Sequence, residues 1–568
     1  MKTILFQILI GFTFLSPALG EEHISAGERS LDVNAMILTE NFFNEENRNS
    51  ADEKRQISSN NLLANLDEDN LLDGFDENSE VTDENELLGF DEDTATDEDE
   101  LLGFDNNSEV TNEDELLDFD DEDQQESDSP STSDDTTAPL LRGSFGLRFA
   151  YAHASESEEE TGMPDWSGLR KAQSVLRLNF DWNNDSFRIY IGGKVAYDSV
   201  PNPLNDDSVD TLPQPFMDEY QKQRKSTVSE SEFEEVYLSF SPVSWIDLQV
   251  GRQIVTWGSL DSLSVLNVIN PIDMREPGMT EVEDARLPVT LERIALYFGD
   301  FKLQGLIINE IRFNKEPGYG SEYFLYPDPE NFTSNMNRLG LLEEEIPSHG
   351  GENTEYAVSL GGDFSGWDMT LYKAEFFNDS ARFSDSVVNP ITRTIQPTKR
   401  VHDRLNLIGM SFSAATGEIV WKGEAGKFSG YQFLGSDQEY SNYQAGIGID
   451  YSGITNTSLI FETSSKLWLD FDELPQNSTT ENIDEQDITS SIVLRRDFLN
   501  QTLKVNFIRQ FYGQSGESGA IQRFSLDYAI SDSMSVEGGS IAYISGTSRI
   551  FQQYDQNDRL FTNLTYSF

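Results

Sequence analysis

From Arg142 onward, apolar and polar residues alternate with a period of two. Leu147, Phe149 and Tyr151 alternate with Arg148 and Ala150. Leu176, Leu178, Phe180 and Trp182 alternate with Arg177, Asn179 and Asp181. Phe187, Ile189, Ile191 and Val195 alternate with Arg188, Tyr190 and Lys194. Successive side chains on a strand point to opposite faces, so each such run predicts a strand with one apolar and one polar face. Very short turns, at 183–185, 242–244, 299–300, 364–366, 415–417, 452–453, 498–500 and 531–532, join these strands in pairs. Between the pairs lie mostly longer connections, roughly 155–168, 199–230, 257–287, 313–352, 378–403, 431–439, 468–484, 513–518 and 546–555. The hairpins together with a first strand near 143–154 and a last near 556–568 make about 18 strands, an even number. A water-soluble sandwich does not sort its loops by length, whereas a membrane barrel does. The predicted fold is therefore all-β: a transmembrane antiparallel β-barrel over residues 139–568, with apolar side chains toward lipid and polar ones toward the lumen.

One stretch departs from this pattern. After Gly251-Arg252-Gln253 and Trp257-Gly258 the alternation stops, and an apolar, helix-compatible run from Leu260 to Ile269 ends at Asn270-Pro271. Proline disfavours helix at the residue before it. Leu260, Leu263, Val265, Leu266, Val268 and Ile269 are too apolar for a free loop and need a surface to bury against, the nearest being the lumen. The expectation is an infolded loop over about 257–287, with Trp257, Gly258, Asp261, Asn270, Pro271 and Asp273 forming a constriction. The alternative is a loop tucked over the barrel mouth. On the preceding strand, strict parity would place Arg252 in lipid at a cost of about 2–4 kcal/mol, so a bulge at Gly251 is expected to turn it inward. Otherwise Arg252 snorkels at the interface. Arg509 has the same outward parity.

Composition changes the picture ahead of the barrel. Lys2, the apolar run Ile4 to Leu15 and the small residues Ser16 to Gly20 read residues 1–20 as a secretory signal peptide. Residues 21–138 are acidic and poor in aromatics, and are expected to be a largely disordered extension in the periplasm. Within them a Leu-Leu-x-Phe unit recurs at Leu71–Phe75, Leu87–Phe90, Leu101–Phe104 and Leu116–Phe119. The array is either a solvated tether or a set of docking motifs for a periplasmic partner through residues 60–123. The segment from Asp91 to Glu100 lacks the central glycine of a calcium loop, which weighs against a calcium array. The net charge of −63 excludes nucleic acid as a partner, and the absence of cysteine excludes disulfides and thiolate chemistry. No metal site or other cofactor is expected.

By parity, Arg148, Arg177, Arg188, Lys194, Arg293, Lys302, Lys504 and Arg523 face the lumen, together with Asp181, Glu235, Lys422, Glu424, Asp527 and Glu537. Two readings stay open: a solvated wall whose charges pair across strands, or a basic pore lining that favours anions. In the last strand Leu564, Tyr566 and the final Phe568 share the outward parity, resembling the assembly signal by which bacterial outer-membrane proteins address the barrel-assembly machinery.

Gly251-Arg252-Gln253, Trp257-Gly258, Asp261 and Asn270-Pro271-Ile272-Asp273, followed by Arg286-Leu287-Pro288-Val289, resemble a poorly characterised domain-of-unknown-function family of Gram-negative outer-membrane β-barrel proteins. More distantly, the chain resembles alginate-export and phosphate-selective porin families. The Leu-Leu-x-Gly-Phe-Asp motif is also similar to that family's amino-terminal region, where it normally occurs once; here it is repeated. The resemblance implies an outer-membrane barrel associated with transport of poorly soluble organic molecules.

Catalysis is not expected. The four histidines, His23, His153, His349 and His402, are scattered, and His153 with Asp165 or His402 with Asp403 are pairings that resemble a rim catalytic arrangement. The expected function is a porin-like channel in the cell outer membrane, embedded in its lipid, for diffusion or export of small molecules, anionic or poorly soluble. The N-terminal extension and the C-terminus are expected in the periplasm. Two alternatives stand beside it. One is a receptor or adhesin using long loops, especially 313–352 with Tyr319, Tyr323, Phe324 and Tyr326. The other is an outer-membrane anchor of an envelope-spanning transport complex.

Overall fold

The computed structural model describes residues 139–153, 166–184, 186–200, 214–280, 285–326, 335–388, 395–436, 438–475 and 483–568. The signal peptide, the acidic repeats, Asp165 and Glu281 to Asp284 lie outside the described residues. The strands are β1 (Leu140–Ala152), β2 (Gly168–Asn184), β3 (Phe187–Asp198), β4 (Ser229–Val243), β5 (Ile246–Gln253), β6 (Val289–Phe298), β7 (Phe301–Ile308), β8 (Glu355–Phe364), β9 (Trp367–Phe377), β10 (Arg382–Val388) and β11 (Ile395–Val401). They continue with β12 (Arg404–Thr416), β13 (Ile419–Tyr431), β14 (Tyr440–Ile454), β15 (Thr457–Trp468), β16 (Gln486–Phe498), β17 (Leu503–Tyr512), β18 (Gly519–Ser531), β19 (Met534–Ile544) and β20 (Arg559–Ser567). All but β10 and β11 join one antiparallel sheet of 18 strands. It closes because β1 pairs with β2 on one side and β20 on the other. The C-terminal main chain completes the seam, Gly143 and Phe568 exchanging two hydrogen bonds of 2.8 Å.

The outward face is mostly apolar, with exceptions such as Lys373, Lys427 and Arg509. Aromatic residues cluster where strands meet the short turns, at Trp245, Phe298, Phe301, Trp367, Trp421, Phe498, Tyr566 and Phe568, all exposed. A second group, Tyr151, Tyr197, Phe233, Tyr356 and Tyr443, marks the ends that carry the long loops. Leu176, Leu178, Ile294, Leu371, Phe412, Phe461 and Leu526 fill the band between them. An apolar band between two aromatic girdles is the surface a barrel presents to a bilayer.

Several local expectations are corrected. The connection expected over 199–230 contains a helix, α1 (Gln214–Val228), and a second short helix, α2 (Arg549–Tyr554), precedes β20. The connection over 378–403 carries its own hairpin, β10 with β11. The apolar run from Leu260 to Ile269 is not helical but follows a series of bends. No bulge occurs at Gly251: the pairing of β5 with β4 and with β6 runs through it without a shift. Gly251 instead takes φ +133°, and a Cβ there would lie 2.2 Å from the Val236 carbonyl oxygen. Arg252 is satisfied by ion pairs, to Glu232 at 3.2 Å and Glu310 at 3.3 Å. The register does shift on β3 and β4, between Ile191 and Gly193. Arg509 keeps its expected parity, in register with Gln522, whose amide oxygen accepts from it at 3.4 Å.

Candidate functional site

Of the connection between β5 and β6, residues 254–280 and 285–288 fold against the inner wall. Asn270 closes its neck: the side-chain oxygen accepts from Val255 N–H at 2.7 Å, and the amide nitrogen donates to the carbonyls of Gln253 (3.2 Å) and Leu287 (3.0 Å). Pro271 adds a fourth bond, accepting from Leu287 N–H at 2.7 Å. One buried side chain thus pairs three main-chain groups that would otherwise be orphaned where two strands diverge.

Beyond the neck, two wall carboxylates take the loop's backbone. Glu424 on β13 accepts from the N–H groups of Ser259 (2.5 Å), Leu260 (2.7 Å), Val265 (2.9 Å) and Leu266 (3.1 Å), and from the Ser264 hydroxyl. Glu462 on β15 accepts from Asp261 (2.7 Å), Ser262 (2.9 Å) and Leu263 (2.9 Å). An α-helix would commit its amides to carbonyls four residues back; here the carboxylates claim those donors, which is why the run is not helical. Charge-assisted bonds of this kind contribute about 1.5–3 kcal/mol each where they are well formed. Glu462 is 0 % exposed, so its carboxylate meets a ring of loop donors rather than water. Gly258, at φ +97°, leaves the room Glu424 needs: a Cβ there would sit 2.3 Å from a Glu424 carboxylate oxygen.

The loop's apolar side chains rest on glycines. Leu260 lies against Gly446 and Gly448 of β14, where a Cβ would come within 2.5 and 2.7 Å of its methyl groups. Leu266 lies against Gly409 and Gly426, which face each other across β12 and β13. Val255, Trp257, Leu266 and Ile269 join Leu291, Leu306, Ile308, Leu405 and Leu407 in one buried cluster. A Gly446→Val substitution is expected to destabilise this packing by about 1–3 kcal/mol, as overfilling a close-packed site does. Leu260→Ala on the same chain should restore most of the loss, and paired denaturant titrations of the two variants check it.

Each expected constriction residue has a place here. Trp257 is buried with its ring 4.9 Å from Tyr372, and Gly258 N–H donates to the Tyr372 hydroxyl at 3.4 Å. Asp261 pairs with Lys422 at 2.9 Å, and Lys422 also holds Asp450 at 2.8 Å. Asp273 pairs with Arg275 at 2.5 Å. Burial pushes the Asp273 carboxyl up, but Arg275 and then Lys315 outweigh it and hold the group below its usual range. Arg275 belongs to a larger ionic cluster in which Glu230 also meets Lys194 and Lys315, and Glu232 meets Arg252, Arg312 and Lys315.

The loop's second lobe reaches the opposite wall. Gly278 and Met279 pack on Ile521, Ile541 and Tyr543, the Tyr543 hydroxyl donates to the Pro277 carbonyl at 2.5 Å, and Glu276 pairs with Lys171 of β2. Burial raises the Glu276 carboxyl, but Lys171, Arg559 and Arg275 together hold it below its ordinary value of 4.5. A depressed carboxylate contributes stability above its ordinary range and loses it as pH falls through the folded value. This lobe should therefore stay docked at neutral pH and release below about pH 4.5. Amide exchange at Gly278 and Met279 measured across that range checks it, and Lys171→Met should weaken the dependence.

The basic positions expected to line the lumen are mostly partnered. Arg177 pairs with Glu234 (3.2 Å), Arg188 with Asp181 (2.8 Å), Lys194 with Glu230 (3.4 Å) and Arg523 with Glu537 (2.6 Å). Arg293 donates to the Gln304 amide oxygen at 2.9 and 3.3 Å, and Lys302 lies 5.8 Å from the Tyr297 ring centre. Lys504 stands in register with Asp497 and Asp527, and Arg148 with Gln173 and Asn563. Glu462 was missed by the sequence reading; its parity, opposite to exposed Phe461, is the signal that could have found it.

Other candidates resolve differently. Tyr319, Tyr323 and Tyr326 are buried, not offered to a ligand: Tyr319 and Tyr326 pack with Tyr220 of α1, and Tyr323 with Tyr543 and Tyr554. His402 is buried, stacked on Phe313 and bonded to the Asn378 carbonyl (2.8 Å) and Glu344 (3.2 Å). Leu564, Tyr566 and Phe568 are exposed on the outer face. Among the described residues no group of His, Cys, Asp and Glu is placed to hold a metal ion.

A comparison with curated proteins gives no match. Among solved structures, the chain is similar to Acinetobacter baumannii OccAB2, at 11 % identity and TM-score 0.41, over 76 % of this chain and 98 % of that one. It is also similar to Pseudomonas aeruginosa OpdK with vanillate, at 9 % identity and TM-score 0.39, over 75 % and 98 %. A third is Vibrio cholerae OmpT, at 10 % identity and TM-score 0.35, over 76 % and 99 %. The family described as "Protein of unknown function (DUF1302)" matches residues 165–568, and the chain belongs to it.

Proposed function

We propose that this protein is a porin-like channel of the cell outer membrane, passing small molecules through a lumen narrowed by residues 254–288. The observation that carries the reading is the fastening of that loop to the inner wall through Glu424 and Glu462. Carboxylates on the inner wall that bind the loop's backbone hold it inside the barrel, where it narrows the lumen. In this reading the short turns, the start of the first strand, the end of the last strand and the acidic extension face the periplasm. Leu564, Tyr566 and Phe568 address the assembly machinery, and residues 60–123 remain available to a periplasmic partner. Trp257, Asp261 and Asp273 hold the constriction, and Arg148, Arg177, Arg188, Lys194, Arg293, Lys302, Lys504 and Arg523 belong to the pore wall. Because Arg177, Arg188, Lys194 and Arg523 each have a carboxylate partner, the lining favours anions only weakly. The buried tyrosines of the 309–326 segment weigh against the receptor alternative.

Planar-bilayer recording of the refolded full chain in a salt gradient tests this. The expected result is steady single-channel conductance with a reversal potential close to zero. A barrel that migrates as folded on a heat-modifiability gel but conducts nothing would overturn the channel reading.

A further inference from the structure

Beside the clasp lies a cavity of about 490 Å³, lined by residues of β9 and of β12 to β17 and walled on one side by the loop. The in-register row that begins at Glu424 and Gly446 runs on through Ser464, Thr489 and Tyr512, and the row through Glu462 runs on through Ser491 to Gln510. The cavity is thus a continuation of the surface that holds the loop. Its lining has a definite chemistry. Ser262, Ser464, Thr489 and Gln510 line it, and none of their side chains makes a hydrogen bond to another described residue. Tyr431 and Tyr512 are half-buried at its edge, each braced by another ring, Trp468 at 5.1 Å and Phe551 at 4.7 Å. No lysine, arginine or histidine is among the lining residues. The one acid is Asp379; burial pushes its carboxyl well above the usual range, the charge of Glu355 adds to this, and Arg286 opposes it.

We propose that this cavity is a binding subsite for a neutral, polyhydroxylated ring compound of the carbohydrate class, held by Ser262, Ser464, Thr489 and Gln510, with Tyr431 and Tyr512 at its edges. The proposal rests on the channel reading, since it makes the lumen the route by which such a molecule arrives. An anion finds no cation among the lining residues to pair with and offset its desolvation. A purely hydrocarbon ligand would strip water from four polar side chains and leave them unpaired. A hydroxylated ring satisfies both demands, its hydroxyls replacing the water on Ser, Thr and Gln and its C–H face lying on tyrosine. The volume lies within the range of sites that enclose small ligands, about 300–1,000 Å³.

The test is calorimetric titration of the full chain in detergent, which needs no conduction and so separates this proposal from the channel reading. The probes are lactose and salicin as neutral compounds, lactobionate as the hydroxylated anion matched to lactose, and galactosamine as the cation. The expected result is saturable binding of lactose or salicin, with lactobionate and galactosamine bound at least about tenfold more weakly. Gln510→Leu and Thr489→Val, which touch neither the clasp nor the glycine seats, should each weaken the neutral ligand about tenfold. Equal or tighter binding of lactobionate or galactosamine, affinity unchanged in both variants, or no saturable binding of either neutral probe would overturn the assignment.

Discussion

Replacing Glu424 and Glu462 together with alanine should raise the single-channel conductance severalfold while leaving the barrel folded. The seven loop N–H groups bonded to the two carboxylates have no carbonyl partner to fall back on without refolding the segment. Charge-assisted bonds contribute about 1.5–3 kcal/mol each, and buried donors left unpaired cost about as much, so the docked geometry loses its advantage even after water recovers part of the difference. The apolar contacts of Leu260 and Leu266 remain, but without the clasp they hold a segment whose backbone is unsatisfied. The sheet is untouched, since its ladder bonds run between strands and the outward face is unchanged. A Glu462→Gln variant gives a graded control. It keeps the shape and an acceptor oxygen but loses the charge, and should give an intermediate conductance with more frequent openings. Unchanged conductance in the double variant, with a normal heat-modifiability shift, would show that the loop is not held by these carboxylates.

The contrast between what was legible in the chain and what was not follows from sequence distance. The barrel could be read because its signals are local. Each strand carries its own alternation, and each hairpin such as 299–300 or 452–453 carries its own turn residues. The outward parity of Leu564, Tyr566 and Phe568 needs only one strand to be seen. Parity also placed Glu424 on the inner wall. The clasp could not be read, because it joins residues about 160 to 200 positions apart through main-chain donors that every residue type possesses. The apolar periodicity of 260–269 therefore suggested a helix, while the wall carboxylates decided otherwise. Gly446 and Gly448 look like ordinary strand glycines until Leu260 is seen against them. Gly251 shows the same limit: its sequence context suggested a bulge, whereas the close approach of the Val236 carbonyl requires glycine in an unshifted ladder. The tyrosines of the loop expected over 313–352 leave a receptor surface open as an alternative in the sequence, and only packing against α1 and α2 reveals Tyr319, Tyr323 and Tyr326 as buried.

The part of that layer around Glu322 and Tyr323 is held by a buried charge at the start of β20, so Arg559→Met should loosen it. The Arg559 side chain is 1 % exposed and pairs with Glu322 at 3.4 Å. Its guanidinium lies 4.6 Å from the Tyr323 ring centre, and Nε donates to the Asn557 carbonyl at 3.1 Å. Removing one partner of a buried pair leaves the other charge uncompensated, at a cost of about 3–5 kcal/mol. Arg170 still meets Glu322 at 3.2 Å, which places the expectation at the lower end of that range. Methionine fills comparable volume, so the loss comes from the charge rather than from a cavity. The expected readout is local: faster proteolysis and amide exchange over 319–326, with the heat-modifiability of the barrel unchanged. The double variant Arg559→Met with Glu322→Gln should recover part of the loss, because it removes the stranded carboxylate while leaving Arg170 an oxygen acceptor. If the double variant is as labile as the single one, the ion pair does not hold the segment. The hydroxyl pair of Tyr323 with Tyr543, at 2.7 Å, would then be what fixes it to the wall.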